Sequence, residues 1–295
     1  MFKENNFIFK DQSKLVLIDY VPDLPGKKEE EIRIPDGTKT IETSALLDVC
    51  AKRLIFPSSV KKFKSHVISN YVPINSSLNT SAEVDEVIFE EGIETINDKA
   101  FEYSSIKSVK FPKSLKKIGR DTFRGTINLE EVTLSCKEIG TFAFSLSGIK
   151  KAIIEDSVEY VNELVFYQCR NLEEVIWNSK SFNLGMFSDC TALRNVEINA
   201  PIEAISNYSF QRTAIRDFVV PESVKYVENG AFFECKKLTL IDFSNVKDVD
   251  DYACAYCTNL ASVNFKNEDV VIGEYVFIGT QLEDLKESKL IAQFA

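Results

Sequence analysis

The chain has 295 residues, 44% of them hydrophobic, and a formal net charge of −10 with an isoelectric point near 4.9. That apolar content suffices for a packed core. The acidic balance excludes sequence-independent nucleic-acid binding, which needs basic patches, and electrostatic docking on anionic lipid.

Residues 1–31 stand apart from the rest of the chain. Phe7-Ile8-Phe9 and Leu15-Val16-Leu17-Ile18 read as two strands joined by a turn around Asp11-Gln12-Ser13, a hairpin over residues 1–31 that caps the next segment. Pro22-Asp23-Leu24-Pro25-Gly26 and the charged run Lys27-Lys28-Glu29-Glu30-Glu31 read as an exposed loop. Residues 32–83 hold two degenerate coils. Ile32-Arg33-Ile34-Pro35 leads to Ile41 and Leu46, and Leu54-Ile55-Phe56-Pro57 leads to Phe63 and Ile68. An inserted loop at 69–82, with the polar run Asn75-Ser76-Ser77, separates them from the regular array; such loops either carry function or are tolerated insertions.

From residue 84 to 281 a single beat recurs every 21 to 23 residues, at Phe101, Phe123, Phe144, Phe166, Phe187, Phe210, Phe232, Cys254 and Phe277. Five residues before each stands an apolar residue, from Ile96, Ile118 and Ile139 to Ile272. Three residues after each stands a small hydroxyl or thiol: Ser104, Thr126, Ser147, Cys169, Cys190, Thr213, Cys235, Cys257 and Thr280. A strand-like segment with three apolar positions comes next, as in Leu129, Val132, Leu134 or Leu172, Val175, Trp177. A fixed period of this size means stacked coils, because one coil cannot bury its apolar face alone. One clear strand per coil must pair in parallel with the same strand in adjacent coils. The hydroxyls and thiols are expected to satisfy backbone groups at the bends. Residues 282–295, with Leu282, Leu285, Leu290, Ile291 and Phe294, form a C-terminal cap, either as a short helix or as an end left open for pairing.

Stretches such as Phe111-Pro112-Lys113-Ser114-Leu115-Lys116-Lys117-Ile118-Gly119 before Thr122-Phe123, and Val220-Pro221-Glu222-Ser223-Val224 before Gly230-Ala231-Phe232 and Cys235, resemble the BspA-like leucine-rich repeats, the Treponema pallidum type. The resemblance implies a right-handed leucine-rich-repeat solenoid with a concave parallel sheet and a convex side of turns and short extended or 3-10 segments. About eleven coils at the inter-strand spacing give a length of about 50 Å. The resemblance also implies a binding or adhesion role, often at a cell surface.

In this register the outward strand position reads Ile88, Lys110, Thr133, Ile153, Ile176, Glu197, Val219, Asp242, Asn264. Ile153 and Ile176 form an apolar spot, rimmed by Glu174, Glu197, Asp217 and Asp242. This surface, with Val219, is the candidate partner site. A second column, Lys107, Glu130, Lys150, Glu173, Arg194 and Arg216, alternates in sign through its first five members and reads as a structural ladder.

Chemistry is poorly supplied. His66 is the only histidine and reads as solvent-facing. The pairs Glu130-Glu131 and Glu173-Glu174 recur with the repeat, and adjacent strand residues point apart. Glycine, 11 residues in all, forms no phosphate-binding loop. Seven cysteines lack disulfide-framework or zinc spacing, although Cys169 with Cys190, or Cys235 with Cys257, are stacked neighbours that a disulfide could sterically join. No catalytic, metal or cofactor site is expected.

No run of 18 apolar residues is present, so no membrane insertion is expected, and Met1-Phe2-Lys3-Glu4 opens polar without a secretory leader. By sequence the chain reads as cytoplasmic, or as one whose leader has been removed. The sequons at Asn75, Asn79 and Asn207 add little without a leader. The expected function is a non-enzymatic protein-binding or adhesion scaffold. The alternatives are a carbohydrate-binding or carbohydrate-active parallel β-helix, with three strands per coil, and a homotypic assembly protein.

Overall fold

The computed structural model describes residues 1–69, 82–267 and 269–283. It comprises two compact units, Met1–Ile149 and Lys150–Ala295, and every regular element among the described residues is a β-strand.

The first unit opens with an antiparallel meander of Phe2–Glu4, Phe7–Phe9 and Val16–Tyr20, with a register shift between Ile8 and Phe9. The expected hairpin is therefore present with one extra strand. Its last strand turns parallel and joins the stack, placing Leu17 beside Ile41 and Ile41 beside Phe63. The run Lys27–Glu31 is not a loop throughout: a strand begins at Glu29 and runs to Arg33. Charge alone suggested a solvated loop, but these charges pair across strands. Lys52 Nζ lies 2.8 Å from Glu30, Arg53 lies 3.0 Å from Glu31, and Lys28 reaches Glu83 and Asp85 at 2.7 and 2.9 Å. The strand Glu29–Arg33 pairs in parallel with Cys50–Phe56, then Glu83–Phe89, then Ser108–Lys110, so that Ile32, Leu54, Val87 and Val109 share one column.

In the second unit, Lys151–Ile154, Glu174–Trp177 and Asn195–Ile198 form one parallel sheet. Asp217–Val219, Leu240–Asp242 and Ser262–Asn264 form another. Alternation along each strand sends one set of side chains inward, and Ile154, Trp177, Phe243 and Phe265 are buried.

The residue five before each Phe belongs to a second parallel ladder of two-residue strands. Ile96, Ile118 and Ile139 align in the first unit, and Ile205, Val227, Val249 and Ile272 in the second. Two residues are too few to show alternation, which is why the sequence displays only one strand per coil. Phe182 has the ladder position without the strand. There Ser181 Oγ accepts from Val161 N–H at 2.9 Å, so a side chain stands in for the missing ladder.

Each Phe lies at the centre of a five-residue turn with left-handed backbone two residues before and two residues after it. Around Phe210 these are Tyr208 (φ 54°) and Arg212 (φ 56°). This backbone turns every second N–H group toward the next coil, while those between, Ser209 and Gln211, donate back within the turn to Ser206 and Tyr208. Tyr208, Phe210 and Arg212 donate to the carbonyls of Asn229, Ala231 and Phe233 in the next coil, at 3.1, 2.8 and 2.9 Å. This gives a third set of inter-coil hydrogen bonds. Inside it the rings stack: Phe101 on Phe123 at 5.4 Å and Phe123 on Phe144 at 5.3 Å in the first unit. In the second, Phe187, Phe210 and Phe232 form such a column at 5.6 and 5.4 Å.

The hydroxyl and thiol column satisfies the bends in most coils, while the buried Ser104 Oγ has no hydrogen-bond partner among the described residues. Thr126, Thr213 and Thr280 donate to the carbonyl of the Phe three residues earlier, at 2.7, 3.0 and 2.6 Å. Cys190, Cys235 and Cys257 reach the Phe carbonyl of the preceding coil at 3.0, 2.9 and 3.0 Å. All seven cysteines are buried free thiols.

Candidate functional site

The candidate surface lies on the outward positions of the long strands in the second unit. Ile153, Ile176 and Glu197 stand side by side in register, and Val219, Asp242 and Asn264 form a second such row. None of the six is buried, and Val219 is 71% exposed. The structure thus brings Ile153, Ile176, Glu174 and Glu197 together on one sheet. It places Asp217, Val219 and Asp242 on the other.

Between the two sheets the ladder is open. Asn195–Ile198 is the edge of the first and Asp217–Val219 the edge of the second, and they stand farther apart than hydrogen-bonded neighbours. A recess of about 410 Å³ lies over the opening, lined by Ile176, Arg194, Val196, Glu197, Asp217 and Phe218 among others. The inward columns are buried at every other long strand of this unit, yet Val196 and Ile198 are half-exposed. A comparable break comes after Ser108–Lys110 in the first unit. There Phe111 spans the gap, its ring 6.3 Å from Phe89 and 5.8 Å from Phe123. The opening escaped sequence reading because Val196 and Ile198 obey the repeat pattern perfectly.

The rim charges are not equivalent. Glu174 pairs with Lys151 at 2.6 Å, and Glu173 pairs with Arg194. Asp217 accepts from Thr239 Oγ1 at 2.6 Å. Burial acts to raise the Asp242 pKa, but hydrogen bonds from Ser244 and Asn264 outweigh it and hold the carboxyl below its usual 3.8. Glu197 is exposed and has no ion-pair or hydrogen-bond partner among the described residues. The second outward column behaves as a ladder where its pairs are seen: Arg194 meets Glu173, and Lys107 meets Asp85 of the preceding coil at 2.7 Å.

His66 is not simply solvent-facing. It is half-buried, with Nε2 3.1 Å from Oε2 of Glu102, whose side chain is only 8% exposed. His66 has the left-handed backbone (φ 54°) found two residues before each Phe of the regular coils. Among the described residues no group of three or more His, Cys, Asp or Glu could hold a metal ion, and no helix is long and apolar enough to cross a membrane. The proposed loop at 69–82 falls almost wholly on residues 70–81, outside the described residues. So does the C-terminal cap beyond residue 283. Ser69, Ala82 and Leu282, which flank these segments, are buried.

The family described as BspA type leucine rich repeat region matches in six copies, over residues 26–87, 72–193 and 180–294. The chain belongs to that family. No curated protein gives a significant match. Among solved structures, a leucine-rich repeat protein from Bacteroides ovatus is similar with a TM-score of 0.52 and 18% identity, covering 94% of this chain and 80% of that one. One from Eubacterium ventriosum is similar with a TM-score of 0.53 and 16% identity, covering 88% and 84%. At such identities the likeness shows the fold alone, a leucine-rich-repeat solenoid.

Proposed function

We propose that this BspA-type repeat protein is a non-catalytic scaffold that binds a protein partner on the concave sheet of its second unit, through Ile153, Ile176 and Glu197 on one side and Asp217, Val219 and Asp242 on the other. The observation that carries the reading is the in-register pair Ile153–Ile176, half-buried on the outward face, beside an open recess and a Glu197 that has no partner among the described residues. An apolar spot with a charged rim is what a protein interface requires of one face. The rigid parallel ladder holds those side chains in fixed register, so little ordering entropy is lost on docking. Family membership supports a binding or adhesion role and adds no partner of its own.

The test is selection of binders from a displayed library of protein fragments on the immobilised chain, followed by affinity measurement against the variant I153K/I176K. Both substitutions are outward, so the variant keeps its fold. Selected binders that weaken about tenfold or more on it support the reading. Binders that hold both proteins equally contradict it.

A further inference from the structure

The main-chain groups at the opening identify the kind of partner. Asn195 N–H donates to the Glu173 carbonyl at 3.1 Å and Asn199 N–H to the Trp177 carbonyl at 2.9 Å. Alternation therefore turns the main-chain groups of Val196 and Ile198 to the open side. Across the recess, Val220 N–H donates to the Asp242 carbonyl at 3.1 Å, and the Arg216 carbonyl accepts from Thr239 at 2.6 Å. The main-chain groups of Asp217 and Val219 are thus the ones that face the opening. Two strand edges present unpaired donors and acceptors to a common space, and no strand of the described residues fills it. In the neighbouring coils the corresponding bonds are made, as from Arg194 and Asn195 N–H to the Glu173 carbonyl.

Unpaired strand edges are templates for another strand. The side chains around this one favour a cationic strand. Glu197 and Asp217 line the recess, Glu197 has no partner among the described residues, and the cation lining it, Arg194, is engaged by Glu173. The half-exposed Val196 and Ile198 offer apolar contact to every second side chain of an added strand.

We infer that the recess takes an extended, lysine- or arginine-bearing peptide segment of a partner protein, which adds as a strand to the open edge Asn195–Ile198. Its basic side chains face Glu197 and Asp217. The inference rests on the concave sheet being the binding face, and it names the chemistry of what binds there.

The probe is a short synthetic peptide alternating lysine and valine, blocked at both ends, titrated calorimetrically into the full chain. Amide hydrogen exchange is tracked residue by residue. Two companion peptides complete the set: one with glutamate replacing lysine, one N-methylated at every second backbone nitrogen. The expected result is saturable binding with slowed exchange at Val196 and Ile198. Affinity should fall about tenfold or more on N-methylation, as for the loss of two or more hydrogen bonds. The glutamate peptide should not bind, and E197K/D217K should abolish binding of the lysine peptide. Absence of binding overturns the inference. Binding that N-methylation leaves unchanged, or that leaves Val196 and Ile198 exchanging freely, overturns it too. The apolar-patch reading is separated by I153K/I176K: a peptide that still protects Val196 and Ile198 in that variant supports strand addition while the patch reading fails.

Discussion

A Cβ placed on Gly230 would stand 2.4 Å from Cε1 of the Tyr208 ring, so the glycine of one coil is the seat for the tyrosine of the coil before it. Gly125 stands in the same relation to Tyr103, and Gly279 to Tyr256. Gly230 also has φ +59°, a left-handed backbone that glycine adopts without strain. The variant G230A is expected to lose about 1–3 kcal/mol in urea denaturation. In a Y208A background the ring clash is gone and only the backbone strain remains, so the same substitution should cost measurably less. Equal costs in both backgrounds would show that the ring contact is irrelevant.

Phe210 sits between Phe187 and Phe232 with ring centroids 5.6 and 5.4 Å away, and it is fully buried. Replacing it by alanine should cost about 3–5 kcal/mol, because a rigid stack of coils cannot collapse into the cavity. Phe277, near the end of the stack and 7% exposed, should cost less on the same change. Chemical denaturation of both variants checks the order.

The Asp85 carboxyl is held below its usual 3.8 by hydrogen bonds from Lys107 and Lys28, at 2.7 and 2.9 Å. A depressed carboxylate pKa contributes stability that is complete above the unfolded value and lost as pH falls through the folded one. The melting temperature of the intact chain should therefore drop on acidification below about pH 4, and part of that drop should vanish in D85N. The pair lies near the surface, so its share is below about 1 kcal/mol and should shrink further in high salt. A pH profile identical in D85N would refute the assignment.

Burial raises the pKa of the thiols of Cys190, Cys254 and Cys257 and pushes Cys136 up to about 12. Thiolate is the reactive form. At pH 7.5 a thiol reagent should leave Cys190, Cys254 and Cys257 unmodified in the native chain, and should titrate all seven in denaturant. Rapid native labelling of Cys190 or Cys257 would contradict their place inside the stack.

The repeat was legible because each coil restates it. Phe columns, hydroxyl and thiol bends and the outward row Ile153, Ile176, Glu197 all derive from period and alternation. Three features were not legible, each for a physical reason. The second ladder at Ile96 or Val227 has two-residue strands, too short for a pattern. The strand at Glu29–Arg33 hides in a charged run because its charges pair across strands. The opening beside Val196 leaves no trace because it reflects spacing between coils, and Val196 and Ile198 are the residues a closed ladder would also carry.

The most direct measurement compares one selected binder on three proteins: the intact chain, I153K/I176K on the concave sheet, and Y160K/Y226K, whose tyrosines are 64% and 43% exposed on the short-strand face. Both variants add the same charge at outward strand positions, Ile153 and Ile176 being half-buried. The concave-sheet account predicts that affinity falls about tenfold or more for I153K/I176K and stays within about twofold for Y160K/Y226K. Equal losses in both, or a loss confined to Y160K/Y226K, would contradict it.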